Sequence, residues 1–139
     1  MTYAGDLTPQ QAWAMLEEDP DAVLVDVRTR AEWEWVGLPD VGSLGRRPVL
    51  VEWIDYPAGR PNPAFVQELL DAGLAPGDGR KVVFLCRAGR RSVGAARAAT
   101  AAGLGPAYNV LEGFEGDPDA NGHRGATGWR AAGLPWRQT

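Results

Sequence analysis

The chain contains one cysteine, Cys86, and one histidine, His123. A lone cysteine excludes an internal disulfide, and so few soft ligands exclude a Cys/His metal cage. No apolar run approaches the roughly 20 residues needed to span a bilayer. The first ten residues lack both the basic and the apolar region of a secretory signal. These absences read together as a soluble protein of a reducing cytoplasm, with no membrane partner, no metal and no cofactor.

One stretch lacks acidic residues. The net charge is -4, which gives no reason to expect nucleic acid as a partner. Yet no Asp or Glu occurs from Gly79 to Leu111, while Arg80, Lys81, Arg87, Arg90, Arg91 and Arg97 do. A basic segment in an acidic chain attracts small anions; a solvated basic helix face carries the same pattern. What the chain does have suits one packed domain over residues 1–139: 45% of it is hydrophobic, enough for a core. Its 18 glycines and 11 prolines predict many turns.

The pattern along the chain alternates strands and helices. Thr8-Pro9 reads as an N-cap and first helical turn, with a helix running to Glu18 and stopped by Pro20. Ala22 to Val27 is a buried strand, and Thr29 caps a short turn of helix through Trp35. Residues 37 to 48 are a Gly- and Pro-rich connection in which Val41 to Leu44 is a candidate short strand, and Pro48 to Trp53 reads as another strand. A helix spans about Pro63 to Ala72, then a strand from Lys81 to Leu85. A small-residue helix follows to Ala102, stopped by Gly103, and Ala107 to Val110 is the last strand. The remainder is turn-rich, with at most one helical turn near Trp129 to Ala132. This order predicts an α/β sandwich on a mostly parallel sheet, whose ligands bind at the C-terminal ends of the strands.

Cys86 stands at such a strand end, followed by Arg87, Ala88, Gly89, Arg90, Arg91 and Ser92. A strand, a short loop with a glycine and then a helix converge backbone N–H groups on one point. A thiol beside that cradle is favoured as the thiolate, which is the nucleophilic form. The arginines supply planar contacts for an oxyanion, and Ser92 either caps the helix or hydrogen-bonds the sulfur. A plain alternative remains: a cysteine at a strand end is also a small buried hydrophobe.

These residues carry a family resemblance. Val82 to Ser92 resembles the active-site loop of rhodanese-like domains, C-R-x-G-x-R-S. Leu24-Val25-Asp26-Val27-Arg28 with Glu32 resembles the family's early L-(I/V)-D-V-R…E segment. Asn109 to Phe114 resembles its N-(V/L)-x-G-G stretch, with Glu112 where glycine is usual; Gly128-Trp129 and Gly133-Leu134-Pro135 resemble the tail of single-domain members. The resemblance implies a rhodanese-like sandwich with a mostly parallel five-stranded sheet flanked by helices. It also implies a sulfurtransferase. Cys86 would take a sulfane sulfur from a small anionic donor such as thiosulfate and hold it as a persulfide. A thiol or cyanide acceptor, including a protein thiol, would then remove it. On this reading Arg87 to Ser92 bind the donor and persulfide, while Asp26 and Arg28 support the loop.

The chain departs from the pattern after Glu32. Gly37-Leu38-Pro39-Asp40-Val41-Gly42 replaces the usual G-H-I-P-G-A, and a longer run leads to Trp53. Trp35 and Trp53 flank that segment and are expected to line the mouth of the site. His123 reads either as a solvated loop residue or as a general acid. Two rivals stand beside sulfur transfer. A cysteine phosphatase or arsenate reductase places an arginine six positions after the cysteine, where this chain has Ser92. A non-catalytic binding module of the same fold typically lacks the cysteine that this chain keeps.

Overall fold

The structure is a computed structural model that describes residues 2–138. The elements run in the order β1 (Gly5–Leu7), α1 (Pro9–Glu18), β2 (Val23–Asp26), α2 (Arg30–Trp35), β3 (Leu38–Pro39), β4 (Val49–Leu50), α3 (Phe65–Asp71), β5 (Val82–Leu85), α4 (Arg91–Ala101), β6 (Ala107–Val110) and β7 (Trp136–Arg137). Five strands form one sheet in the order β1-β6-β5-β2-β4, every pair parallel. This is the expected α/β architecture.

Both central strands, β2 and β5, are buried along their whole length, because helices and loops cover both faces of a parallel sheet. Alternation along each strand sorts side chains into two cores. Val25, Val27, Phe84 and Cys86 face one side, against Phe65 and Leu69 of α3 and Ala95, Ala96 and Ala99 of α4. Leu24, Val83 and Leu85 face the other, against Ala12 and Leu16 of α1 and against Phe114 and Trp129. Cys86 thus continues the inward-facing row of β5 on the side that α4 covers.

Two helices begin with complete capping boxes. The Thr8 side chain accepts from the Gln11 backbone while the Gln11 side chain returns to Thr8 N–H; Thr29 and Glu32 do the same for α2. Both starts match the sequence reading.

Other expectations need correcting. Val41 to Leu44 is not a strand: Gly42–Leu44 is a single 3-10 turn closed by left-handed Gly45, and Val41 anchors it in the core. The fifth strand of the sheet is instead β1, whose Gly-Asp-Leu sequence carries no strand signal. It gains its place by pairing with β6, setting Asp6 opposite Asn109. The Pro48–Trp53 strand shortens to Val49–Leu50, although Val51 and Trp53 N–H still reach the carbonyls of Asp26 and Val27. The chain's end returns to pair β7 antiparallel with β3.

Candidate active site

The loop from Cys86 to Arg90 joins the C-terminal end of β5 to the start of α4. Cys86 is 1% exposed. Gly89 turns the loop with φ +90°, a conformation glycine adopts without penalty, and its N–H points at Cys86 Sγ from 3.1 Å. Ser92 Oγ lies 3.2 Å from the same sulfur. Ser92 is inside the first turn of α4, with Arg90 in the capping position, so it lies beside the sulfur and does not cap the helix.

A second loop braces the first. Phe114 N–H bonds to Cys86 O at 2.8 Å and Glu115 N–H to Arg87 O at 3.0 Å. Gly113 makes this approach possible: a Cβ there would stand 2.4 Å from Cys86 O and 2.6 Å from Ala88 N. Glu112 just before it has φ +67°, the left-handed region that costs an L residue roughly 1–2 kcal/mol. This is the position where the resembling stretch usually carries glycine, and the backbone shows why.

Asp26 and Arg28 are both fully buried. Arg28 grips Asp26 through Nε and Nη2, the shorter contact 2.6 Å, and Nη2 also bonds to Gly37 O. Its guanidinium lies 4.2 Å above the centre of the Phe114 ring. The pair therefore packs on the residue whose backbone N–H bonds to Cys86 O.

The arginines of the loop divide. Arg91 is committed to Glu32 by two hydrogen bonds, 2.7 and 3.0 Å, joining the loop to the capping box of α2. Burial works against the Glu32 charge, but the Arg91 hydrogen bonds and charge, with Thr29 N–H, outweigh it and hold the carboxyl below its ordinary range. Arg87 is half-exposed and pairs through Nε with Glu115 at 3.2 Å. Arg90 is exposed, and its side chain makes no hydrogen bond or ion pair among the described residues. Of the basic cluster, it is the member of the loop left free for an anion.

Trp35 is 72% exposed and packs edge-on to Tyr56, with ring centres 6.4 Å apart. Both line a cavity of about 270 Å³ together with Glu32, Arg87, Arg91 and Glu115. Trp53 does not join them. It packs on Phe65 at 4.9 Å, and a Cβ on Gly94 of α4 would lie 3.0 Å from its ring. His123 sits exposed in a turn held by Asp119, whose carboxylate accepts the His123 N–H. A larger cavity, about 500 Å³, is lined by Asp40, Arg46, Arg47 and Arg137 and by no residue of the cysteine loop. Among the described residues no cluster of His, Cys, Asp and Glu could hold a metal ion, and no helix is long and apolar enough to cross a membrane.

A row of hydrogen bonds runs from Ser92 beside the sulfur out to the surface. Ser92 Oγ donates a short hydrogen bond to Asn109 Oδ1, and Asn109 Nδ2 donates to Asp6 Oδ1 at 3.0 Å. Tyr3 closes the row by donating its hydroxyl to the same Asp6 oxygen at 2.9 Å. Asn109 was visible in a family-like stretch, whereas Asp6 lies 103 residues away from it and carried no signal.

Residues 5–139 match the STR4 middle domain. The chain belongs to that family. The crystal structure of Rv0390 from M. tuberculosis is 61% identical, with TM-score 0.90 and 99% of both chains covered. A rhodanese-like domain protein from Staphylococcus aureus is 20% identical, TM-score 0.56, over 79% of this chain and 87% of that one. A polysulfide-sulfur transferase homodimer from Wolinella succinogenes is 23% identical, TM-score 0.64, over 99% and 80%. A protein from Rhodopseudomonas palustris described as a possible tyrosine phosphatase is 26% identical, TM-score 0.58, over 96% and 84%. The fold of this STR4 middle-domain member is therefore rhodanese-like, and the neighbours agree on that fold while differing in the chemistry ascribed to them.

Proposed function

We propose that this protein is a sulfurtransferase that carries a sulfane sulfur on Cys86. The observation that carries the reading is the polar shell of the thiol: Sγ accepts the Gly89 N–H and lies against Ser92 at the sixth position. A persulfide formed there places its charge beside a backbone donor at the head of α4.

The cycle balances without an added oxidant or reductant. Cys86 thiolate attacks the outer sulfur of a donor such as thiosulfate; the S–S bond breaks and sulfite leaves with the electron pair. An acceptor thiolate or cyanide then attacks the outer persulfide sulfur, and Cys86 leaves as thiolate. Arg90 is the first contact for an anionic donor, with Arg87 next if the donor displaces Glu115. Asp26, Arg28 and Gly113 keep the loop in shape, and Ala88 contributes only backbone.

Phosphoryl transfer fits less well. An in-flight phosphoryl group needs an arginine fork aimed at its oxygens, and the fork of Arg91 is filled by Glu32. The retained cysteine disfavours a purely binding role. The test is a direct assay with thiosulfate and cyanide. Thiocyanate release by the wild type and none by Cys86→Ser is expected, with aryl phosphates left intact. Phosphate release that requires Cys86, without thiocyanate, would reverse the assignment.

A further inference from the structure

The row from Cys86 to Asp6 constrains where one proton sits. Asp6 as a carboxylate only accepts, so Asn109 must turn its Nδ2 toward it and its Oδ1 toward Ser92. Asn109 is 1% exposed and Ser92 fully buried, so water does not substitute for either partner. Asn109 Oδ1 can be satisfied by Ser92 only if the hydroxyl donates to it. Ser92 has one proton. Its oxygen therefore meets Cys86 Sγ with a lone pair, and of the two it is the thiol that donates.

We propose that Asp6 and Asn109 are positioning residues that hold the Ser92 proton away from the sulfur and so restrain the reactivity of Cys86. Ionised sulfur wants a donor. With Ser92 engaged, Gly89 N–H is the donor directed at it. Turning Ser92 toward the sulfur would strip Asn109 Oδ1 of its buried partner, which opposes the rotation. The charged groups near the sulfur do not replace this control, since Arg91 is paired with Glu32 and Asp26 with Arg28. The inference extends the sulfur-transfer reading but does not need it, because any chemistry at the thiol feels the same restraint.

Asp6 gives a clean handle, being exposed on an edge strand. In Asp6→Ala the Asn109 amide is free to flip. Its Nδ2 can then donate to Ser92, releasing the hydroxyl proton to the sulfur. Removing a negative charge would also favour thiolate, so Asp6→Asn is the control. It removes the charge, while Tyr3 OH keeps an acceptor oxygen in the same place. The measurement is the rate of Cys86 alkylation by iodoacetamide at pH 7, with folding checked by circular dichroism. A freed hydroxyl donor should speed Asp6→Ala by on the order of tenfold, the scale of one hydrogen bond to a charged group. Asp6→Asn should stay within about twofold of wild type. In a Ser92→Ala background Asp6→Ala should have no further effect. Asn109→Ala, which deletes the competing acceptor, should reproduce the acceleration and serves if Asp6→Ala does not fold. An unchanged or slower rate in folded Asp6→Ala or Asn109→Ala would overturn the proposal. Equal acceleration by Asp6→Asn, or acceleration that persists without Ser92, would do the same. Loss of thiocyanate release in the wild type, with these alkylation results intact, would strike the sulfur-transfer reading alone.

Discussion

Replacing Glu32 with glutamine tests whether the Glu32–Arg91 pair fastens the cysteine loop to α2. Glutamine keeps the side chain's length, one acceptor oxygen and its suitability for the capping box, so the charge is the main loss. The partners are 19% and 22% exposed, intermediate between a surface pair and a buried one. Hydrogen bonds to charged groups are worth about 1.5–3 kcal/mol, and partial exposure places the expected cost at the lower end, near 1.5 kcal/mol. The sign with pH follows from the depressed carboxyl of folded Glu32. Its contribution is complete above the unfolded-state value of about 4.3 and disappears as pH falls through the lower folded-state value. Urea unfolding followed by tryptophan fluorescence should therefore separate wild type and Glu32→Gln by about 1.5 kcal/mol at pH 7. The gap should begin to close as pH falls below about 4.3 and keep closing in more acid. A gap that stays constant into acid would refute the electrostatic account and assign the loss to the cap or to packing.

Three further changes probe the site. Gly113→Ala adds a Cβ 2.4 Å from Cys86 O at a left-handed φ, so it should lower stability by more than about 2 kcal/mol and shift the loop, read by urea melts and alkylation rate. Asp26→Asn leaves buried Arg28 without its counter-charge and should cost about 3–5 kcal/mol in the same melts; a loss below about 1 kcal/mol would contradict the bracing role. Arg90→Ala should weaken use of thiosulfate more than use of an uncharged organic sulfur donor. That difference should fade as the Debye length falls from about 10 Å at 0.1 M salt to about 3 Å at 1 M, and equal losses for both donors would remove Arg90 from anion capture.

What the sequence disclosed was local. Thr8 with Gln11 and Thr29 with Glu32 are three residues apart, so each capping box is written in one short segment. The apolar runs of β2 and β5 announce buried strands, and Cys86, Gly89 and Ser92 of the candidate site lie within one short segment. Long-range partners were not legible. Nothing in the cationic run says that Arg91 is held by Glu32, 59 positions away, and that pairing changes it from a free anion ligand to a fastening. The Gly-Asp-Leu of β1 has no apolar run and is a strand only because β6 offers an edge. Val41 misled for the opposite reason: it is apolar and buried, but its neighbours turn. Trp53 likewise looked like a rim residue from its place in the chain, while α4 leaves a glycine for its ring.

The central claim is that Cys86 carries the sulfur, and intact mass spectrometry tests it most directly. Protein incubated with thiosulfate and then desalted should gain the mass of one sulfur atom, localised to the peptide containing Cys86. Cyanide should remove that mass and release thiocyanate, and Cys86→Ser should never acquire it. A wild-type mass unchanged by thiosulfate and by organic persulfide donors alike would contradict the account.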